Sequence, residues 1–131
     1  MSDQKCQWKS KLSPDYECLE VAKLPDEDQH WYCILHSREE DKDREGNFTK
    51  AVEDRLHTRD GKINLRGCYF PTTFNSNYFL HFSFKKPIDF GEAAFFQKAD
   101  FKEAIFSQYV DFRKGTFLQE ADFHKAKFLY G

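Results

Sequence analysis

The chain has 131 residues, enough for one domain of ordinary size or for two small units that share an interface. Its net charge of −2 gives no overall attraction to nucleic acid or to an anionic membrane. No apolar run follows Met1, and no stretch approaches the roughly 18 uncharged apolar residues that a membrane span needs, so neither a signal peptide nor a span is expected. The default compartment is the cytoplasm, where cysteines are more often thiols or metal ligands than disulfides.

Composition divides the chain near residue 60. Fourteen of the fifteen Phe residues lie after that point, and only Phe48 lies before it. The first 60 residues hold 15 acidic and 10 basic side chains, a net charge of −5, whereas the rest hold 7 and 10, a net charge of +3. We therefore predict three units: a zinc-binding segment at 1–40, a charged connector with a helix at 41–62, and a repeat region at 63–131.

Three of the four cysteines lie in the first segment, and a histidine closes the set. Cys6, Cys18, Cys33 and His36 have the spacing C-x11-C-x14-C-x2-H. Two ligands three residues apart can bind one ion from a single tight turn, and three thiolates with one imidazole suit tetrahedral Zn²⁺. Roughly 40 residues with few aliphatic side chains cannot build a stable apolar core, so a metal would supply the missing stability. Because protein fills all four positions, the predicted zinc is structural and not catalytic.

Two alternatives stay open for this segment. In the first, the cysteines are unrelated small core residues and His36 lies on the surface. In the second, His30 is the fourth ligand, although its spacing to Cys33 suits a shared ion less well. The ending WYCILHS resembles the closing C-x2-H of small Cys3His zinc domains such as the plant WRC type, a resemblance that covers the four ligands and little else. The net acidic charge of the segment argues against contacts with nucleic-acid phosphates.

The connector combines a mixed charge run at 37–45, expected to be a solvated surface, with one short helix of roughly 47–58. Asn47 is expected to cap the start of that helix. The helix has one apolar stripe at spacing i, i+3, i+4 and i+8, formed by Phe48, Ala51, Val52 and Leu56. This face must be buried, and the first coil of the repeat region is the expected surface for it.

An 11-residue period dominates the rest of the chain. Two sets of Phe keep it, as does one set of Asp: Phe90, Phe101, Phe112, Phe123; Phe95, Phe106, Phe117, Phe128; Asp89, Asp100, Asp111, Asp122. At about 100° per residue, Phe90 and Phe95 would lie roughly 140° apart on a helix, so no single seam would form. Short strands fit better, because each Phe and the small residue two positions before it then face the same way.

This pattern resembles the pentapeptide-repeat family, whose unit is A-(D/N)-(L/F)-X-X, in the Phe-centred variant that alternates five- and six-residue units. The match is clean over 88–130, and upstream it extends less cleanly to Ile63, with a faltering register at 72–74. The resemblance implies a right-handed quadrilateral β-helix with four units per coil. Two 11-residue repeats would make one coil, so 63–131 would form about three coils.

Side chains of the repeats are assigned to the inside or the outside by the same pattern. The Phe rings form the core, and Cys68 falls at a small inward position, so we interpret it as a core residue and not as a metal ligand. The Asp set takes a regular outward position where a short polar side chain suits a turn, which favours a structural over a catalytic role. His81 and His124 are expected at the surface. Basic side chains interleave with the acidic ones.

The predicted fold class is mainly β: a pentapeptide-repeat solenoid with a small N-terminal zinc knuckle and a capping α-helix. No phosphate-binding loop, nucleophile motif or His–carboxylate constellation is recognisable, so no enzyme activity is expected. We therefore predict a non-enzymatic protein-interaction or scaffold module. The resemblance offers an alternative, mimicry of duplex DNA to bind type II topoisomerases such as gyrase, but 87–131 hold 7 acidic and 6 basic residues and the rod is nearly neutral.

The end of the repeat region leads to a prediction about partners. A coil that ends at Phe128 and Leu129 would leave apolar core uncovered. Three explanations stay open: the chain is part of a longer repeat protein, for which it is the adaptor or sensor portion; two chains stack end to end as a homodimer; or a partner docks there.

Overall fold

The computed structural model describes residues 4–13, 15–22, 24–25 and 30–129; the predicted repeat end at Gly131 lies outside these ranges. The fold is a parallel β-solenoid of about three coils, preceded by one short helix and an N-terminal segment with a Cys3His cluster. The predicted fold class is therefore confirmed. Within the described residues, no helix is long and apolar enough to cross a membrane.

The N-terminal segment contains two small antiparallel ladders and is followed by the helix. Strand β1 (Gln4–Lys5) pairs with β2 (Val21–Ala22), and β3 (Leu24–Pro25) pairs with β4 (Trp31–Tyr32). Helix α1 covers Asn47–Leu56. Each ladder has only two residues per strand, so these pairings alone supply little stability.

Helix α1 has the predicted apolar face but not the predicted cap. Phe48 and Val52 are buried, and the Phe48 ring lies 5.5 Å from those of both Phe70 and Phe74, edge to face. The residue before the helix is Gly46, at φ 80°, so Asn47 is already helical and makes no cap. The preceding loop instead brings Asp43 to the first turn, where its carboxylate accepts bonds from the N–H (2.8 Å) and the hydroxyl (2.6 Å) of Thr49.

The solenoid contains eleven short strands in four parallel sheets. Its strands are β5 (Ile63–Asn64), β6 (Tyr69–Phe70), β7 (Ser83–Phe84), β8 (Ile88–Asp89), β9 (Ala94–Phe95), β10 (Ala99–Asp100), β11 (Ile105–Phe106), β12 (Val110–Asp111), β13 (Thr116–Phe117), β14 (Ala121–Asp122) and β15 (Lys127–Phe128). The sheet orders are β5–β8–β12, β6–β9–β13, β10–β14 and β7–β11–β15. Four sheets around one axis give the four faces that the repeat pattern predicts.

The register explains why the sequence pattern falters near residue 72. Ile88 pairs with Val110, which is 22 residues later, but Ile63 pairs with Ile88, which is 25 residues later. The first coil therefore has three extra residues between β6 and β7. The insertion brings one additional buried ring, Phe74, against helix α1.

Phe rings form columns inside the coils. Rings one coil apart stack nearly parallel, with centroids about 4.3–5.2 Å apart. Their spacing follows the strand separation, so each coil adds one ring to each column. The columns are Phe70–Phe95–Phe117, Phe79–Phe101–Phe123, Phe84–Phe106–Phe128 and Leu65–Phe90–Phe112.

The Asp set has the predicted turn role, although its side chains are less solvated than an outward position suggests. Asp89, Asp100 and Asp111 are buried. In each repeat the Asp carboxylate accepts the main-chain N–H two residues later, as in the bond from Arg113 to Asp111 (2.8 Å). The corners also contain left-handed residues every 11 positions, at His81, Glu92, Glu103, Lys114 and Lys125. These corners turn the chain from one face to the next.

Candidate metal centre

The turn after β4 presents two of the four predicted ligands. Cys33 directly follows β4, and its carbonyl accepts the N–H groups of His36 (3.2 Å) and Ser37 (2.9 Å). These bonds close a tight turn that places both side chains on one side. The C-x2-H spacing therefore works as predicted.

All four predicted ligand residues meet at this turn. Cys6 follows β1 and Cys18 precedes β2, so the first antiparallel ladder brings both sulfurs towards Cys33. The Nδ1 atom of His36 lies 3.3 Å from the Sγ atoms of Cys6 and of Cys33, and the Sγ atoms of Cys18 and Cys33 are 4.0 Å apart. All four ligand atoms lie within 4.8 Å of one another, and all four residues are buried.

The geometry fits a tetrahedral ion. With metal–sulfur bonds of about 2.3 Å and metal–nitrogen bonds of about 2.0 Å, the ligand atoms of a tetrahedral site are roughly 3.5–3.8 Å apart. The distances of 3.3 and 4.0 Å bracket this range. The Cys3His cluster could therefore hold a metal ion after small side-chain rotations.

His36 is held in the orientation that ligation requires. Its Nε2–H donates to the carbonyl of Arg66 at 2.8 Å, which leaves Nδ1 facing the sulfurs. The indole of Trp8 stacks on the imidazole, with centroids 4.5 Å apart and planes 12° from parallel. Such a bond from the second ring nitrogen to a carbonyl fixes the tautomer in protein metal sites.

Close contact among these groups also shifts their acidity. Hydrogen bonds with Cys18 and Cys33 lower the pKa of Cys6, whereas contacts with Cys18 and Cys6, together with burial, raise the pKa of Cys33. Burial opposes protonation of His36, but hydrogen bonds and charge interactions with Cys18 and Cys6 outweigh it and raise the pKa of His36 to about 9. The cluster cannot lose all its thiol protons without a nearby positive charge, which a divalent cation would supply.

The two alternatives for this segment are not what the structure shows. His36 is buried in the cluster and not on the surface, and His30 is exposed and outside it. Cys68 is fully buried in the first coil and does not join the cluster, which confirms its predicted core position. His81 and His124 are exposed, as predicted.

Arg66 attaches the cluster to the solenoid, and sequence reasoning did not identify it. Its backbone carbonyl accepts the His36 bond, while its guanidinium donates to Asp89 (2.8 Å) and to the hydroxyl of Ser13 (2.6 Å). A second carboxylate, that of Asp111, lies 3.8 Å away. This one residue therefore joins the metal-site turn, the N-terminal loop and all three coils.

Two further attachments involve residues far apart in sequence. The carboxylate of Glu92 accepts bonds from the N–H groups of Lys11 and Leu12 and from the hydroxyl of Ser10. The indole of Trp8 lies directly over Gly67, where a Cβ atom would overlap the ring. No periodicity or motif marks these positions.

Lys42 supports the same turn from the opposite side. Its side chain is buried, and Nζ donates to the carbonyls of Ser37 (2.6 Å) and Leu35 (3.3 Å), which flank His36. The ammonium group also lies 4.3 Å from the centre of the Phe48 ring. Burial lowers the pKa of Lys42 to about 8. Lys42 thus connects the ligand turn to helix α1.

Comparison with protein-family models, with curated proteins and with solved structures found no match.

Proposed function

We propose that the chain is a non-enzymatic protein-interaction scaffold: a pentapeptide-repeat β-helix whose first coil is covered by helix α1 and by a segment folded around structural Zn²⁺. The observation that carries the proposal is the buried Cys3His cluster, whose His36 is bonded to the first coil through Arg66. Three sulfurs and one nitrogen favour Zn²⁺ among the common divalent ions, and a full set of protein ligands favours a structural role.

The composition of the N-terminal segment supports a need for metal. Among its described residues up to residue 40, the buried apolar ones are the three cysteines, Ala22 and Leu35. Two aliphatic side chains bury too little apolar surface to fold such a segment. Metal ligation would supply the difference, as in other small metal-dependent domains.

Elemental analysis of the whole chain, purified without added metal, tests this part of the proposal. We expect about one zinc per chain, lost in Cys33→Ala and retained in Cys68→Ala. The second variant is the matched control, because it removes a buried thiol that lies outside the cluster. A folded wild-type chain without metal, unable to bind added zinc, would contradict the proposal.

The proposed interaction surface is the face formed by β6, β9 and β13. Its outward positions are uncharged: Ala94 and Thr116 lie on it, Leu118 is exposed, and Phe96 stacks on Tyr69 with centroids 4.2 Å apart. The other faces alternate Asp with Lys or Arg. A flat, uncharged face on a rigid scaffold suits contact with another protein.

Capture of a partner by the whole, immobilised chain tests this surface. We expect Leu118→Asp to abolish capture and Gln119→Asp to leave it unchanged, because both introduce the same charge at exposed neighbouring positions. Equal capture by the two variants would exclude this face.

DNA mimicry is less well supported than interaction through this face. Asp89, Asp100 and Asp111 are buried in turns and paired with Arg66, Lys102 and Arg113, so they do not form the exposed anionic column that mimicry of phosphates requires. Inhibition of gyrase supercoiling at micromolar concentrations of the chain would reverse this preference.

We further expect the outer face of the last coil to pair with a second copy. Among the described residues, β12, β13, β14 and β15 each pair on one edge only, and Leu118, Phe128 and Leu129 are exposed beside them. Helix α1 covers the opposite end, so two copies would meet through the same face. Light scattering should give a dimer mass for the chain and a monomer mass for Phe128→Asp; a wild-type monomer at high concentration would exclude the pairing.

A further inference from the structure

A cleft leads from the surface to one cysteine of the Cys3His cluster. The cleft has a volume of about 680 Å³ and lies between helix α1 and the ligand turn. Cys33 forms part of its wall, with Ala51 and Arg55 of the helix opposite. A second cleft, of about 870 Å³, reaches His36. Neither cleft is lined by Cys6 or Cys18, so of the three sulfurs it is that of Cys33 that a small molecule can approach through them.

The surroundings of Cys33 favour a reactive thiolate. Two cationic side chains, Lys42 and Arg55, line the same cleft. Positive charge beside a cysteine stabilises its thiolate, the form that attacks an oxidant. Metal ligation likewise keeps the sulfur deprotonated. Cys33 therefore combines access with thiolate character, which together determine susceptibility to oxidation.

A second thiol lies within reach of Cys33. The Sγ atom of Cys18 is 4.0 Å from that of Cys33, and both belong to the cluster. A neighbouring thiol of this kind converts a first oxidation product into a disulfide. By contrast, Cys68 is fully buried in the first coil and lies outside the cluster.

From these observations we infer that Cys33 is a site of oxidation by hydrogen peroxide, that Cys18 resolves it as a disulfide, and that the reaction releases the metal. The inference rests on the proposed zinc site. It assigns the N-terminal segment a further role as a peroxide-sensitive element next to the scaffold.

The chemistry balances with peroxide as the oxidant. The Cys33 thiolate attacks one peroxide oxygen, the O–O bond breaks, and the departing hydroxide takes a proton to become water. The sulfenic acid formed on Cys33 is then attacked by the Cys18 thiolate; the S–S bond forms, and the S–O bond breaks to give a second water after protonation. Two electrons leave the two sulfurs and reduce one peroxide to two waters.

Disulfide formation would affect the two regions differently. It removes two of the four ligands, and Cys6 with His36 alone cannot complete a tetrahedral site. The hairpin of β3 and β4 lies between Cys18 and Cys33 in sequence, so the new bond would close a loop that already turns back on itself. The Phe columns share no side chain with the cluster, so the solenoid should stay folded.

The test uses the zinc-loaded whole chain and hydrogen peroxide, with zinc release followed by a chromogenic chelator. We expect stoichiometric release, a single Cys18–Cys33 disulfide in peptide mass spectra, an unmodified Cys68, and recovery after reduction with added zinc. Zinc retained under these conditions, or a disulfide that involves another pair, would overturn the inference.

A cleft variant tests the route while leaving all four ligands in place. Ala51→Leu narrows the cleft, so release should slow by roughly tenfold at unchanged zinc affinity, because thiol oxidation depends on access. Glu53→Leu, on the exposed side of the same helix, is the matched control and should release zinc at the wild-type rate. Equal rates in the two variants would overturn the route. Failure of the wild-type chain to bind zinc at all would instead contradict the proposed function.

Discussion

The two halves of the molecule are stabilised in different ways. In the solenoid, each buried side chain has equivalents one coil above or below, as Phe106 has in Phe84 and Phe128. In the N-terminal segment, each stabilising contact occurs once: one cluster, one indole on one glycine, one buried ammonium group. The solenoid therefore distributes its stability over many similar contacts, whereas the segment depends on a few.

This difference has consequences for mutation and for function. Loss of one ring should weaken the whole solenoid, because its coils share continuous columns. Loss of one ligand or attachment should release the N-terminal segment and leave the solenoid folded. The following substitutions test this contrast, each with a control of the same chemical type.

The largest effect is expected for Phe106→Ala. Phe106 is 0% exposed, with a ring stacked on each side, so its removal should leave a cavity and lower the free energy of unfolding by about 3–5 kcal/mol. Phe128→Ala in the same column, at 51% exposure, should cost about 1 kcal/mol or less. Urea unfolding followed by circular dichroism measures both. Similar costs would mean that the column is not the source of stability.

Arg66→Met should break the connection between the regions. The side chains of Arg66 and Asp89 are only 9% and 6% exposed, so the substitution leaves a buried carboxylate without its cation, at a cost of about 3 kcal/mol. The control is Arg113→Met, because Arg113 pairs with Asp111 but is 63% exposed and should cost less than about 1 kcal/mol. Zinc affinity should fall only in Arg66→Met. Equal affinity in both variants would exclude Arg66 as the link.

The same division determines what the sequence could predict. The coils were predictable because every repeat gives the same signal: a Phe, a small residue two positions earlier, and an Asp between them. The C-x2-H pair was predictable because a turn of four residues is local. The cap of α1 was predicted wrongly, since the accepting carboxylate comes from Asp43 and not from Asn47. The three extra residues of the first coil appeared only as a disturbed register.

The attachments could not be predicted, because each joins residues distant in sequence and occurs once. Arg66 bonds to Ser13, 53 positions away, and Glu92 to Lys11, 81 positions away. The left-handed corners were missed for a different reason. Glu, Lys and His occupy them in place of glycine, so the usual composition signal is absent.

Gly67→Ala tests the contact between Trp8 and the first coil. Gly67 has φ 70°, but the matching corner of the next coil holds Glu92 at φ 58°, so backbone conformation alone does not require glycine. The Trp8 ring does require it, because a Cβ atom would overlap the indole. We expect a cost of about 1–3 kcal/mol, a red shift of tryptophan fluorescence, and weaker zinc binding. Gly61→Ala has open space around it and should change none of the three.

The smallest effect compares the same residue type in the two regions, and it depends on pH. Burial raises the pKa of the Cys68 thiol from its ordinary value of 9 to about 12. Because the folded-state pKa is the higher one, Cys68 contributes full stability below pH 9, and this contribution is lost as the pH rises towards 12, since the unfolded chain ionises first. At pH 10 the loss should be about 1 kcal/mol relative to pH 8. Cys68→Ala removes this loss, whereas the other titrating groups are common to both proteins, so the difference between their unfolding curves isolates one thiol. An unchanged difference between pH 8 and pH 10 would mean that Cys68 ionises in the folded state as readily as in the unfolded one, and therefore that it does not lie in the apolar interior of the first coil.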